Sequence, residues 1–332
     1  MVAALGHGRR CSIDPADLDR GRAAAAVTRS GDAGRSVSAR RLVGQPPRGA
    51  TVSILGGEMP FARSGPLRVF YESVGCGPAV LLILGQGMSV EAGWRTVDRL
   101  SSQFRVLAFD NRDMGRSDHS PWPYLVAQMA GDAIAVLDAA GEAHAHVYGM
   151  SLGGMVAQEV ALRHRHRVCG LVLGATTPGG SRAVPQDPQV LTFFTRVGAM
   201  GAEEAAWAAV PYSYGERTRR AHGDRIAEDI ARRMRHPPDA LAYLHQVAAA
   251  AAHSTYRRLG CITAPTLVVH GEQDVLQAPQ NARVLAEAIP GAELRLWPEA
   301  GHLYVTDEPE ADREVARFLE RHSPSLAQRA AA

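Results

Sequence analysis

Gly149-Met150-Ser151-Leu152-Gly153 places a serine between two glycines at a spacing of two on either side, and Gly154 follows. A serine hydroxyl becomes a useful nucleophile only when it is held in the open beside a base. The spacing supplies the first condition. On a sharp strand-to-helix turn the hydroxyl stands clear of the backbone, and small residues on both sides let the strained turn close without clashes. A helix that begins at the serine also directs its free N–H groups and its dipole at the reacting centre. The flanks agree: Ala145-His146-Val147-Tyr148 reads as a strand and Met155 to Arg165 as a helix. A merely structural glycine-rich turn has no need of that setting, so Ser151 is predicted as a catalytic nucleophile.

The surrounding elements must hold such a turn at a sheet edge. Leu67 to Val74 alternates as an early antiparallel strand does. Continuous apolar runs follow at Ala79 to Leu84, Arg105 to Asp110, His144 to Gly149, Cys169 to Gly174 and Thr266 to Gly271, with Glu293 to Trp297 last. Strands covered on both faces read in this way. Helical stretches lie between them at Tyr124 to Ala140, Leu152 to Arg165, Pro279 to Ile289 and Pro309 to Arg321. Repeated strand–helix units imply an α/β fold, a mostly parallel sheet with helices on both faces. Residues 177–260 offer no strand and carry helical periodicity at Val190 to Met200, Arg217 to Met234 and Ala240 to Ala252. They are predicted to be a helical cap inserted into a core made of residues 59–176 and 261–322. Residues 1–58, rich in Arg, Ala, Gly and Ser, and residues 323–332 are expected to be disordered.

With the elbow and these elements in place, the chain resembles the α/β-hydrolase superfamily over roughly residues 60–322. Asp110-Asn111-Arg112-Asp113-Met114-Gly115-Arg116-Ser117-Asp118 is similar to the D-x-R-G-x-G-x-S loop of that superfamily, with Asp113 where Gly is usual. The closer resemblance is to the esterase and lactonase branch that includes 3-oxoadipate enol-lactonases and aclacinomycin-type methylesterases. Leu84-Gly85-Gln86-Gly87-Met88-Ser89 is like the oxyanion loop of those methylesterases and lacks the His-Gly pair of many other members.

A base and an acid must accompany the serine. Of the thirteen histidines, most sit in polar helix or loop surroundings. His302, in Pro298-Glu299-Ala300-Gly301-His302, lies between the last predicted strand and the final helix. In this fold that loop returns to the carboxyl edge beside the elbow, so His302 is predicted as the base. Asp274, in Gly271-Glu272-Gln273-Asp274, follows the strand Thr266 to Gly271 and takes the family's usual acid position; Glu272 is its nearer rival and Asp307 a remote one. The loop one strand earlier, Ala175 to Gly180, has no carboxylate. The chain order of serine, acid and histidine matches the superfamily. The expected backbone donors of an oxyanion hole are Leu152 and Gly87, with Met88 replacing Gly87 if the loop is offset by one.

The bulk composition excludes other classes. The chain has 332 residues, 46% hydrophobic and 21% charged, with a net charge of +2, and all its basic residues are Arg. That balance asks for neither nucleic acid nor a membrane surface. Cys11, Cys76, Cys169 and Cys261 are scattered without metal-ligand spacing and read as reduced thiols of a cytoplasmic protein, with no signal peptide. No metal or organic cofactor is implied. The expected reaction is hydrolysis of a small-molecule ester or lactone of a small to medium apolar substrate through an acyl-enzyme. Carbon–carbon bond hydrolysis on the same triad, and a non-hydrolytic cyclase or binding protein on the same fold, are the alternatives.

Overall fold

The computed structural model describes residues 60–197 and 200–323. The expectations for residues 1–58 and for most of the 323–332 tail fall outside them. Eight strands form one sheet: β1 (Phe61–Ser64), β2 (Leu67–Val74), β3 (Ala79–Ile83), β4 (Arg105–Phe109), β5 (Ala145–Met150), β6 (Val168–Gly174), β7 (Thr266–Gly271) and β8 (Glu293–Trp297). Their order is β1-β2-β4-β3-β5-β6-β7-β8. The first two pairings, β1 with β2 and β2 with β4, are antiparallel, and the remaining five are parallel.

The apolar runs are explained by burial on both faces. Leu81, Ile83, Leu107, Phe109, Val147 and Leu171 face one core, which is closed by α2 (Val126–Ala139), α3 (Leu152–Arg163) and α10 (Gln280–Ala288). Their neighbours Val80, Leu82, Val106, Ala108, Tyr148 and Val172 face the other, closed by α1 (Trp94–Leu100) and α12 (Glu310–Arg321). Alternation across the pleat thus serves two hydrophobic layers at once. The strand order reverses between β3 and β5, and a crevice outside the carboxyl ends of the strands opens at such a point.

The sequence reading missed β1 and α1. Phe-Ala-Arg-Ser is a four-residue strand that takes its stability from pairing with β2, and four residues carry no readable period.

The segment between β6 and β7 holds α4 (Pro188–Val197), α5 (Ala202–Ala208), α6 (Val210–Ser213), α7 (Glu216–Ala221), α8 (Gly223–Arg233) and α9 (Ala240–Ala251), and no strand among the described residues. The stretch Arg217 to Met234, expected as one helical run, is broken into α7 and α8 at His222, whose backbone leaves the helical region at φ −133° and ψ 45°. Three contacts seat α9 on the core loops. Gln246 Oε1 accepts from the Gly87 N–H at 2.9 Å, its Nε2 donates to the Arg112 carbonyl at 3.3 Å, and His245 Nδ1 lies 3.2 Å from Asp113 Oδ2. Asp113 keeps the left-handed turn that glycine usually supplies, at φ 69°. Aspartate is among the residues that tolerate this region, and its carboxylate both accepts the Ser120 N–H at 2.5 Å and faces His245.

The loop after β4 is anchored by a buried ion pair. Arg112 Nε and Nη2 reach the two carboxylate oxygens of Asp132 on α2 at 2.6 and 2.7 Å, under the ring of Tyr124. Arg112→Met leaves that carboxylate buried without its cation, which costs about 3–5 kcal/mol. Urea unfolding of the variant should show that loss, and Arg112→Met combined with Asp132→Leu should recover most of it. A single-variant loss below about 1 kcal/mol, the range of exposed pairs, would mean that the pair is solvated.

Candidate active site

Ser151 joins β5 to α3 in a conformation that few residues adopt, φ 55° and ψ −119°. Such backbone strain costs on the order of 1–3 kcal/mol and persists only where the surroundings hold it. Here both its backbone groups are pinned. The Ser151 N–H donates to the Gly174 carbonyl at 2.8 Å, and its own carbonyl accepts from Thr176 Oγ1 at 2.7 Å and from the Gly154 N–H at 2.9 Å. The flanking glycines are required by space. A Cβ on Gly149 would run into the Gly153 carbonyl, and one on Gly153 into the Ile83 carbonyl.

Asp274 and His302 come together as the sequence predicts. His302 Nδ1 lies 2.8 Å from Asp274 Oδ2, and both residues are buried. This contact places the ring proton on Nδ1 and leaves Nε2 as the basic nitrogen. Among the described residues no hydrogen bond joins the His302 ring to the Ser151 hydroxyl; such bonds are often long without substrate and tighten in the complex.

A residue that the sequence reading passed over completes the acid's surroundings. His270, fully buried on β7, brings Nε2 to 3.0 Å from Asp274 Oδ2 and 2.9 Å from the Gln277 carbonyl. Both neighbours are acceptors, so Nε2 carries the proton. The other carboxylate oxygen accepts the N–H groups of Leu276 and Gln277, each at 2.9 Å. Burial opposes ionisation, but the charge of His302 and the hydrogen bonds from the two histidines outweigh it and hold the Asp274 carboxyl down at about 2.

The rival acids are elsewhere. Glu272 is exposed and faces Arg283 at 3.6 Å. Asp307, whose carboxyl is raised by desolvation, accepts the N–H of Gly301 at 2.7 Å and of Gly215 at 2.9 Å. It fixes the residue next to His302. Beneath the site, Tyr148 on the nucleophile's strand meets Tyr304, two residues after His302, at 2.7 Å between hydroxyls. Asp312 closes this network, 3.3 Å from Tyr148 and 3.0 Å from Arg99 and Thr96.

The oxyanion loop differs from expectation. The Gly87 N–H is committed to Gln246 and the Met88 N–H turns back to the Gly85 carbonyl at 3.3 Å. Within Gln86–Met88 only the Gln86 N–H has no acceptor among the described residues. Leu152 opens α3, where first-turn N–H groups have no partner within the helix. Leu152 is the donor expected from the sequence; Gln86 is not, because the Gly87 N–H is taken up by the Gln246 contact from a distant helix.

A cleft with a volume of about 40 Å³ lies beside these elements, on a scale where one water needs 10–15 Å³. It is lined by Leu84, Met88, Met150, Ile230, Arg233 and Leu303, among others. Of the aromatic side chains in the insertion, Tyr214 lines the cleft, Trp207 is exposed, and Phe193 stacks on Tyr212 at 4.6 Å between centroids. Among the described residues no group of three or more His, Cys, Asp or Glu is arranged to hold a metal ion, and no helix is long and apolar enough to cross a membrane.

The family model described as alpha/beta hydrolase fold matches residues 78–309. An Azorhizobium caulinodans protein named "Putative carbamate hydrolase RutD" is 30% identical over 260 residues, covering 77% of this chain and 96% of its own length. Among solved structures, the enol-lactonase of Burkholderia xenovorans superposes with a TM-score of 0.70 at 25% identity, over 79% of this chain and 100% of that one. A hydrolase of Pseudomonas aeruginosa gives 0.69 at 27% identity, over 79% and 98%.

The charge state of Asp274 is measurable through stability. Its carboxyl titrates at about 2 in the folded chain, against about 3.9 when unfolded. A depressed folded value contributes stability that is present above pH ~4 and is lost as the pH falls toward 2. The unfolding free-energy gap between wild type and Asp274→Asn should therefore narrow between pH 5 and pH 3. A gap independent of pH would show that the buried carboxyl is not held ionised.

Proposed function

This chain belongs to the α/β-hydrolase fold family, and from that premise we propose that it is a serine hydrolase cleaving a carboxylic ester or lactone through an acyl-enzyme. The observation that carries the reading is the Asp274–His302 contact at 2.8 Å at the same sheet edge as a strained serine elbow. A carboxylate on Nδ1 fixes the tautomer in which Nε2 takes the serine proton, and it stabilises the imidazolium that forms. His302 Nε2 removes the Ser151 proton as the hydroxyl oxygen attacks the substrate carbonyl carbon. The tetrahedral oxyanion is met by the N–H groups of Leu152 and Gln86, the first favoured by its place at the start of α3. His302 then returns the proton to the leaving oxygen. Water, deprotonated by the same nitrogen, attacks the acyl carbon and releases the acid with Ser151 regenerated.

The role of His270 follows from the same geometry. By sharing Asp274 Oδ2 with His302 it limits the rotation of the carboxylate and keeps its lone pair aligned with Nδ1. The apolar side chains of Leu84, Met150, Ile230 and Leu303 in the cleft favour an acyl or ring group of mainly aliphatic character.

Intact-mass analysis after treatment with a fluorophosphonate should find one adduct on the wild-type chain and none on Ser151→Ala. Replacement of Ser151 or His302 should lower turnover of a chromogenic ester by roughly 10⁴–10⁶-fold. Persistence of near wild-type turnover in Ser151→Ala would remove the acyl-enzyme mechanism.

A further inference from the structure

Arg233 ends α8 and lines the cleft together with Leu84, Met88 and Met150, residues of the oxyanion loop and of the elbow. Its Nη2 lies 3.3 Å from where a Cβ on Gly87 would stand, next to the ring of Tyr243. Its Nε is buried and makes no hydrogen bond. No carboxylate among the described residues forms an ion pair with it, although most of the other arginines around the site have one. The acid best placed to do so is Asp229, one helical turn earlier and also on the cleft, and it is fully committed. Its Oδ1 takes Arg95 Nε at 2.8 Å and its Oδ2 takes Thr306 Oγ1 at 2.7 Å. Of the other ionisable groups near Arg233, the phenols of Tyr243 and Tyr214 are uncharged near neutral pH. Desolvation lowers the Arg233 pKa from its ordinary value, yet a guanidinium remains charged near neutral pH.

A desolvated cation without a counter-ion is unfavourable unless something else supplies the anion. We propose that Arg233 binds a carboxylate group of the substrate, so that the preferred substrates are esters or lactones that also carry a free carboxylate. The chemistry of the site selects this group. A planar guanidinium pairs with the two oxygens of a carboxylate in one plane. The cleft, at about 40 Å³, has room for a small charged group; apolar side chains such as Leu84, Met150, Ile230 and Leu303 line it, and the two other charged groups on its wall, Arg95 and Asp229, are paired with each other at 2.8 Å. The substrate is then an aliphatic chain or ring with the scissile carbonyl at Ser151 and the carboxylate at Arg233. This assignment rests on the serine-hydrolase reading above and narrows it.

The test compares matched 4-nitrophenyl esters on the full chain: the monoesters of succinate, glutarate and adipate against the butanoate, pentanoate and hexanoate esters of equal length. At one length or more, kcat/KM for the carboxylate-bearing ester should exceed that of its neutral partner by on the order of 10²-fold. In Arg233→Met this ratio should fall to near one. Arg233→Lys, which keeps the charge without the planar fork, should give a ratio between the two. Calorimetric titration of glutarate gives a readout that needs no turnover, with binding to wild type that weakens by a similar factor in Arg233→Met. A folded wild type that shows no carboxylate preference at any length and no glutarate binding overturns the assignment, as does an unchanged ratio in Arg233→Met. Ser151-dependent cleavage of neutral esters without that preference removes only the role of Arg233, whereas cleavage that survives Ser151→Ala removes the hydrolase mechanism itself.

Discussion

Taking the carboxylate of Asp274 out of water is unfavourable by several kcal/mol unless hydrogen bonds replace the lost hydration. Its replacements come from three parts of the chain. Leu276 and Gln277 supply backbone N–H groups from its own loop, His270 reaches across from β7, and His302 arrives from the loop after β8. Each donor is positioned because the carboxylate is there, and the carboxylate stays ionised because all of them are. The arrangement is cooperative in that sense: the orientation of the His302 ring and the path of the loop after β7 are one geometric fact.

The serine side of the site is held by different physics. Ser151 makes no use of a buried charge. It is fixed by close backbone approach, with Gly149 and Gly153 leaving no room for side chains, and by hydrogen bonds from Thr176 and to Gly174. The two halves meet underneath, where Tyr148 and Tyr304 touch through their hydroxyls above Asp312. Tyr148 belongs to the strand that ends at the elbow, and Tyr304 to the short helix α11 (Tyr304–Asp307) that follows His302. A shift of either half is thus transmitted to the other through a satisfied buried network rather than through the substrate.

How much of this was legible in the sequence depended on whether the signal was local. Continuous apolar runs announced the five strands β3 to β7 because burial on both faces leaves a mark within five or six residues, and alternation announced β2. Gly149 and Gly153 announced the elbow because their constraint acts at a distance of two residues. Asp274 and His302 were readable from their places just after strands β7 and β8. The missed features depend on partners far away in the chain. β1 exists through pairing with β2. The loop N–H groups are apportioned by Gln246, 159 residues beyond Gly87. His270 reads as one more strand residue, and its ring matters only because Asp274 folds back four positions later. Arg233 looks like any cation at the end of a helix; what sets it apart is the absence of an anion around it, which no sequence pattern records.

The seat of the helical insertion also bears on how such a site is blocked selectively. Gln246 joins the oxyanion loop to the loop after β4 with a single amide, its oxygen on the Gly87 N–H and its nitrogen on the Arg112 carbonyl. A small molecule that offers the same acceptor and donor, spaced as an amide spaces them, would occupy that seat and hold α9 away from the core. Its discrimination would come from a side chain on an inserted helix rather than from the serine, histidine and aspartate on which the proposed chemistry depends.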